Sequence, residues 1–352
     1  MYEMVNPEMI ILARESRGFT QKELAAKLNV TQGFVSKIES GFLGVSPDAL
    51  KELVKVLHYP EKFFYQEFPI FPAESHFYRK NKTLPSKTQA AILARMNILR
   101  KHVKELLDDA EIEFRPLPEF DLDEYGTPAK VAQATRQFLR LPRGPVKNMV
   151  KLLEDAGVLI IELNASTRMF SGAGMHAENP NYIIFVNRSM PADRLRFTLA
   201  HELGHIVMHR IMRPLMELEA DIFASEFLMP AREIAHYLVD LTLDKVASLK
   251  KYWKVSMAAI IKQAVSIGKI TQRQYQYLWT QMGMAGYRLK EPPELDIPEE
   301  NPSLLSELIE LHLKELGYTI EQLSQRLALF VDEFVLLYMP PQSRLRLVQN
   351  VG

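Results

Sequence analysis

Residues 201–205 read His-Glu-Leu-Gly-His. On a helix, His201 and His205 lie one turn apart on one face, close enough for their rings to share an ion. Glu202 is rotated about 100° from His201, beside such an ion rather than on it. That set suits hydrolysis, with the ion activating a water and the carboxylate moving its proton. The bare pattern also arises by chance in very roughly one chain in a hundred of this length, so the flanks must decide. They read "FTLA" and "IVMH", with no charge until His209 and Arg210, as a buried helix would. His209 shares the face but lies about 12 Å along the axis from His201, too far for three histidines to meet at one ion. It is assigned to structure.

With no cysteine in 352 residues, any metal must be held by His, Asp or Glu. The segment "ELEADIFASEFLMP" (217–230) offers two glutamates, which differ by about 200° around a helix, so only one can face the ion. Glu217 shares its face with Ala220, Asp221 and Ala224, small residues that permit close helix approach. Asp221 there could accept the outer N–H of a ligating histidine. Glu219 shares its face with Ile222 and Phe223, which belong against a core. Glu217 is therefore the expected third ligand.

The elements that must position these residues are mixed. Two amphipathic helices and the apolar strand "VLIIEL" precede a second strand, "YIIFVN" at 182–187, and then the motif helix. A small sheet flanked by helices follows, and the class is α+β, mostly α. The strand at 182–187 is expected at a sheet edge, where an extended substrate could add. His176 and Tyr182 are candidates to stabilise an oxyanion. Lysines and arginines balance acids at 43 each, so nucleic-acid binding must come from local patches. The opening residues lack a basic stretch before their short apolar run, and no uncharged apolar stretch nears the ~18–20 residues that span a bilayer, so a cytoplasmic protein without membrane contact is expected.

Ahead of the sheet, "GFTQKELAAKLNVTQGFVSKIESG" has Thr20 three residues before Glu23, a reciprocal cap that starts a helix. Asn29-Val30 makes a turn, Thr31 caps the next helix, and Gly41 ends it. Two short helices with so brief a turn have the geometry that reads DNA, although a plain helical bundle shows the same periodicity. From Ser75 to Lys104 there are eight Lys/Arg and no acid. A solvated helix explains such a run. A phosphate-tracking arm with Phe77 and Tyr78 stacking on bases, hence a single-stranded DNA partner, is the functional alternative. Ordering such an arm by single-stranded DNA, through Arg79, Lys80 and Lys82, could then open the cleft. The tail "GYTIEQLSQRLALFVDEFVLLY" (317–338) echoes the helix pair at the head, and a weaker echo lies at 249–264. In the tail Asp332 and Glu333 would repel phosphates, so it is expected to pack rather than to bind DNA.

Two strings carry a family resemblance. "GFTQKELAAKLNVTQ…IESG" resembles the XRE (Cro/phage-repressor-like) helix-turn-helix family. "RLRFTLAHELGHIVMH" followed by "ELEADIFASEFLMP" resembles the ImmA/IrrE family of metallopeptidases, whose long form carries an XRE-type domain in front. The resemblance implies a zincin-like (gluzincin) fold with His201, His205 and Glu217 as ligands of Zn²⁺ (Mn²⁺ second), Glu202 as general base and Asp221 in support. Many relatives have Asn at the position of Asp221. It also implies Gln32, Gly33 and Lys37 at base-facing positions, of which Gly33 reads nothing, and Gln21 at a phosphate-facing one, on double-stranded DNA. With eight basic and eight acidic side chains in residues 1–65, one copy should bind weakly, and a homodimer is implied.

The expected organisation is a helix-turn-helix domain at 5–66, a basic linker helix at 75–115, a peptidase domain at 126–290 and a helical tail at 300–352. The expected function is a zinc endopeptidase that cleaves a repressor-type regulator in a stress or DNA-damage response. The rival is a non-catalytic DNA-binding regulator or antitoxin that uses the zincin fold as a sensor or dimerisation module. An intact Glu202 favours the first.

Overall fold

The structure is a computed structural model, and it describes residues 4–71, 77–78, 84–112, 116–164, 167, 169–176, 182–209 and 214–339. Two compact units emerge: Met1–Phe71 with Pro85–Glu113 and Leu305–Gly352, and Pro72–Leu84 with Phe114–Leu304. The architecture is α+β and mostly α, as the patterning implied.

In the first unit, Asn6, Thr20, Thr31 and Ser46 cap helices α1 (Pro7–Ser16), α2 (Gln21–Leu28), α3 (Gln32–Glu39) and α4 (Pro47–Leu57). The Thr20/Glu23 box forms as expected, and Asn29 turns the chain from α2 to α3 in the left-handed region at φ 55°. Leu24, Ala25, Val35, Ile38, Leu50 and Leu53 form the buried side of this bundle. Arg14 of α1 reaches Glu39 at the end of α3 at 2.5 Å, both side chains being buried. This bond fixes α3 against α1.

Helix α5 (Ser86–Asp109) departs from the basic-linker expectation. It packs along α1 within the first unit. Arg100 is fully buried and stacks on Phe68 and Phe71, with its guanidinium 4.1 and 3.9 Å from the two ring centres, and donates to the Pro69 carbonyl. Arg95 donates to the Ser16 carbonyl, Lys87 pairs with Glu23, Lys101 with Glu105 and Lys104 with Asp108. Five of the run's eight cations thus meet oxygens of this unit, Arg100 and Lys101 from buried positions, so α5 packs into the unit and does not stand apart from it as a linker. Arg79, Lys80 and Lys82 lie outside the described residues, as do the side chains of Phe77 and Tyr78.

The second unit holds α6 (Leu122–Tyr125), α7 (Pro128–Phe138), α8 (Met149–Asp155) and a four-stranded sheet. Its strands β1 (Phe77–Tyr78), β2 (Val158–Leu163), β3 (Gly172–His176) and β4 (Tyr182–Asn187) lie in the order β1-β3-β4-β2. β4 pairs in parallel with β2 (Val158 opposite Tyr182) and antiparallel with β3 (His176 opposite Tyr182). Both its edges are hydrogen-bonded, so the expected strand addition at 182–187 is ruled out. Helices α9 (Ala192–Met208) and α10 (Met216–Leu228) lie against the sheet and α7, and α11 (Ala231–Ile234), α12 (Leu243–Trp253), α13 (Met257–Ser266) and α14 (Gln272–Met284) complete the unit. One apolar cluster, including Leu153, Ile160, Ile184, Leu199, Leu203 and Phe227, joins sheet and helices.

The chain then adds α15 (Leu304–Lys314), α16 (Ile320–Arg326) and α17 (Val331–Tyr338) to the first unit. Glu333 pairs with Arg17 at 2.7 Å, Asp332 with His58 at 3.0 Å, and Arg326 with Asp109 at 2.8 Å. The tail's carboxylates therefore meet partners within its own unit. Its likeness to the head and to 249–264 extends to the turns: Asn29, Lys254 and Ala328 are all left-handed, at φ 55°, 55° and 53°.

Candidate functional site

Helix α9 is buried over its last three turns because apolar residues occupy all its faces there, and the three motif side chains enter the domain with it. His201, Glu202 and His205 are each at most 1 % exposed. The Nε2 atoms of the two histidines stand 3.0 Å apart. Glu217, from the first turn of α10, bridges them, with Oε2 3.5 Å from His201 Nε2 and Oε1 3.2 Å from His205 Nε2. The Glu217 side chain is 45 % exposed, so the cluster is closed on the histidine side and open on the α10 side.

This donor set fits a divalent cation. Four ligands arranged tetrahedrally about 2.0–2.1 Å from zinc stand roughly 3.3 Å from one another, close to the three separations found. The outer ring nitrogens are engaged as well. His201 Nδ1 meets Asp221 Oδ1 at 2.9 Å, and a carboxylate only accepts, so Nδ1 donates. When that ring gives up its second proton, Nε2 offers a lone pair toward His205 and Glu217. Converging acceptors require a positive charge between them. Burial opposes charge on His201, but its hydrogen bonds to Asp221 and Glu217 and the Glu202 charge outweigh it and raise its pKa to about 9. Burial also raises Glu217, yet its bonds to the two histidines prevail and hold it well below the usual carboxylate range. The same field that draws a proton would draw a cation.

Glu202 stands beside the trio, not in it. Its Oε2 accepts the Gly174 N–H from β3 at 2.8 Å, which leaves Oε1 for a second partner. Burial lifts its carboxyl more than the neighbouring imidazoles and this N–H lower it. β3 can run this close because it begins with glycine: a Cβ on Gly172 would lie 2.7 Å from the Thr198 methyl group of α9. Such a carboxylate, raised in pKa and anchored through one oxygen, is suited to taking a proton from water.

One residue, Glu219, was misplaced by sequence reasoning. Glu219, expected against a core, accepts from His209 Nε2 at 2.9 Å, and His209 Nδ1 in turn meets His205 Nδ1 at 2.9 Å. His209 does not reach the ion site, as the axial distance required, but it contacts a residue that does. The signal was present as three histidines spaced by four. Of the oxyanion candidates, Tyr182 is packed in the apolar cluster, and the side chain of His176 lies outside the described residues.

On the helix-turn-helix, Gln32, Gly33, Ser36 and Lys37 lie exposed along α3. Gln21, expected at a phosphate-facing position, is half-buried between α2 and α3. Its amide donates to Glu39 at 2.8 Å and accepts from Gln32 at 3.4 Å, so it braces α3 from α2.

Residues 10–64 match a family model described as a helix-turn-helix, and residues 153–264 match a peptidase model described as an IrrE N-terminal-like domain. The second match spans β2 through most of α13 and contains the whole His201–Glu217 cluster. Comparison with curated proteins gave no match. Among the described residues no helix is long and apolar enough to cross a membrane.

Proposed function

From a chain that carries an XRE-type helix-turn-helix ahead of an ImmA/IrrE-type peptidase domain, we propose a DNA-binding zinc metallopeptidase that cleaves a regulatory protein of the repressor type. The observation that carries this reading is the convergence of His201, His205 and Glu217 next to a separately anchored Glu202. Zn²⁺ at the trio would polarise a scissile carbonyl and acidify the attacking water.

The chain's own residues supply the rest. His201 and His205 present Nε2, with Asp221 holding the first ring by its Nδ1. Glu217, on the open side, closes the set while leaving an approach from solvent. Glu202 takes the water's proton on the oxygen that Gly174 does not hold and passes it to the departing amine nitrogen. A non-catalytic sensor would need the three ligands but not a fourth, buried carboxylate with its own N–H donor. Stress-linked regulation and action as a homodimer on a two-half-site duplex belong to the same proposal, supported by the paired domains and the uncharged balance of the head.

The test is capture and cleavage. A Glu202→Gln chain immobilised as bait should retain a cellular protein that the wild-type chain cuts, and a chelator should stop the cut. Failure of the wild type to cut any retained protein with Zn²⁺ present would refute the proposal.

A further inference from the structure

We propose that His209 and Glu219 are positioning residues that set the tautomer and orientation of His205, an inference that rests on the metal-centre reading above. The sequence alone assigns neither residue to the site. In the structure they form a chain of two hydrogen bonds, His205 Nδ1 to His209 Nδ1 and His209 Nε2 to Glu219 Oε2, each 2.9 Å. His205 is fully buried and His209 nearly so, and the chain leads to a carboxylate whose side chain is 19 % exposed.

With one proton on each ring, as a metal-ligating His205 requires, donor and acceptor identities give this chain one direction. The Glu219 carboxylate only accepts, so His209 Nε2 carries a proton. A neutral His209 then has a bare Nδ1, which can only accept, so the proton between the two rings belongs to His205 Nδ1. His205 is left with a lone pair on Nε2, the atom that faces His201 and Glu217. Asp221 does the same for His201 in a single bond. The His205 side takes two bonds because Glu219, two residues after Glu217, reaches His209 and not His205, and the His209 ring spans the gap. Both glutamates of "ELE" are therefore used: Glu217 faces the ion site and Glu219 the ring behind it.

His209 also leaves α9 at its C-terminus with extended backbone, its N–H still donating to the His205 carbonyl at 2.9 Å. A substitution could therefore act through helix fraying alone, and the test must separate the two. The full-length chain is titrated with Co²⁺ against a chromophoric chelator, and the metal-free proteins are melted in parallel. His209→Leu and Glu219→Leu should each weaken Co²⁺ binding by roughly 10–100-fold, the usual consequence of losing an outer partner of a metal-bound histidine. His209→Asn places an amide oxygen where Nδ1 was, and Glu219→Gln keeps an acceptor for Nε2–H, so both should stay near wild type. The proposal is overturned if the leucine variants bind Co²⁺ as the wild type does, or if His209→Asn and Glu219→Gln lose as much as they do. If His209→Leu fails to fold, the Glu219 pair decides alone. A wild-type chain that takes up no Co²⁺ would overturn the metal centre and the relay together, whereas a wild type that binds beside indifferent leucine variants overturns only the relay.

Discussion

Gly204, the fourth residue of the motif, sets the gap between the two helices that share the ion site, so Gly204→Ala should empty that site without unfolding the chain. A Cβ there would lie 2.9 Å from Phe223 Cδ1, 3.1 Å from Cγ and 3.3 Å from Cβ. Carbon atoms settle about 3.5–4.0 Å apart, so the contact is too short by roughly 0.6–1 Å. Phe223 cannot swing clear, because the offended atoms include its stem next to the α10 backbone. The helices must part, and Glu217 moves with α10. Metal–ligand distances tolerate about 0.2 Å, so the carboxylate falls out of range. Overpacking costs about 1–3 kcal/mol, of which alanine's helix preference returns about 1. The fold should survive. Co²⁺ affinity at neutral pH should fall by more than the roughly 10–100-fold that a lost outer hydrogen bond costs, while the melting curve of the metal-free protein shifts little. Wild-type affinity in Gly204→Ala would show that helix spacing does not set the site.

The recognition helix makes a second expectation: Gln32→Ala with Lys37→Ala should weaken binding to a selected duplex site by about 1–3 kcal/mol per lost base contact, read by gel shift, and equal binding would remove α3 from that role. A third concerns acid. His102 is buried against Tyr338, its Nδ1 2.6 Å from the phenol oxygen, and burial lowers its pKa from 6.5 to about 3. The unfolded chain therefore takes up the proton first, so stability is complete above about pH 6.5 and declines as pH falls toward 3. By pH 4.5 the loss should reach roughly 2–3 kcal/mol. Urea unfolding of wild type and His102→Phe at pH 7 and 4.5 checks this, and an undiminished acid loss in the variant would contradict it.

Much of this was legible where chemistry depends on local spacing. The one-turn offset of His201 and His205, the 200° separation of Glu217 from Glu219 and the small face of α10 each follow from helix geometry, and the Thr20 box and Asn29 turn from backbone chemistry. What escaped depended on partners distant in sequence. β3 was missed because "GAGMH" has no apolar run. Its glycines serve close approach to α9, not strand propensity, and without it β4 looked like an edge. The basic run looked solvated because nothing local shows that Arg100 lies between Phe68 and Phe71. Glu219 looked like a core-facing residue because rotation about α10 shows which acid faces the ion, while the partner of a third histidine depends on how α10 packs on α9.

The most direct measurement takes wild type and Glu202→Gln from the same preparation and records bound zinc and the rate at which each cleaves the captured partner. Glu202 is beside the proposed ligands, so the variant should carry one Zn²⁺ per chain like the wild type, while turnover falls by roughly 10²–10⁴, the usual worth of a general base. A variant that keeps its zinc and cleaves at the wild-type rate, or one that loses the zinc, would contradict the separation of metal ligand from proton carrier on which this account stands.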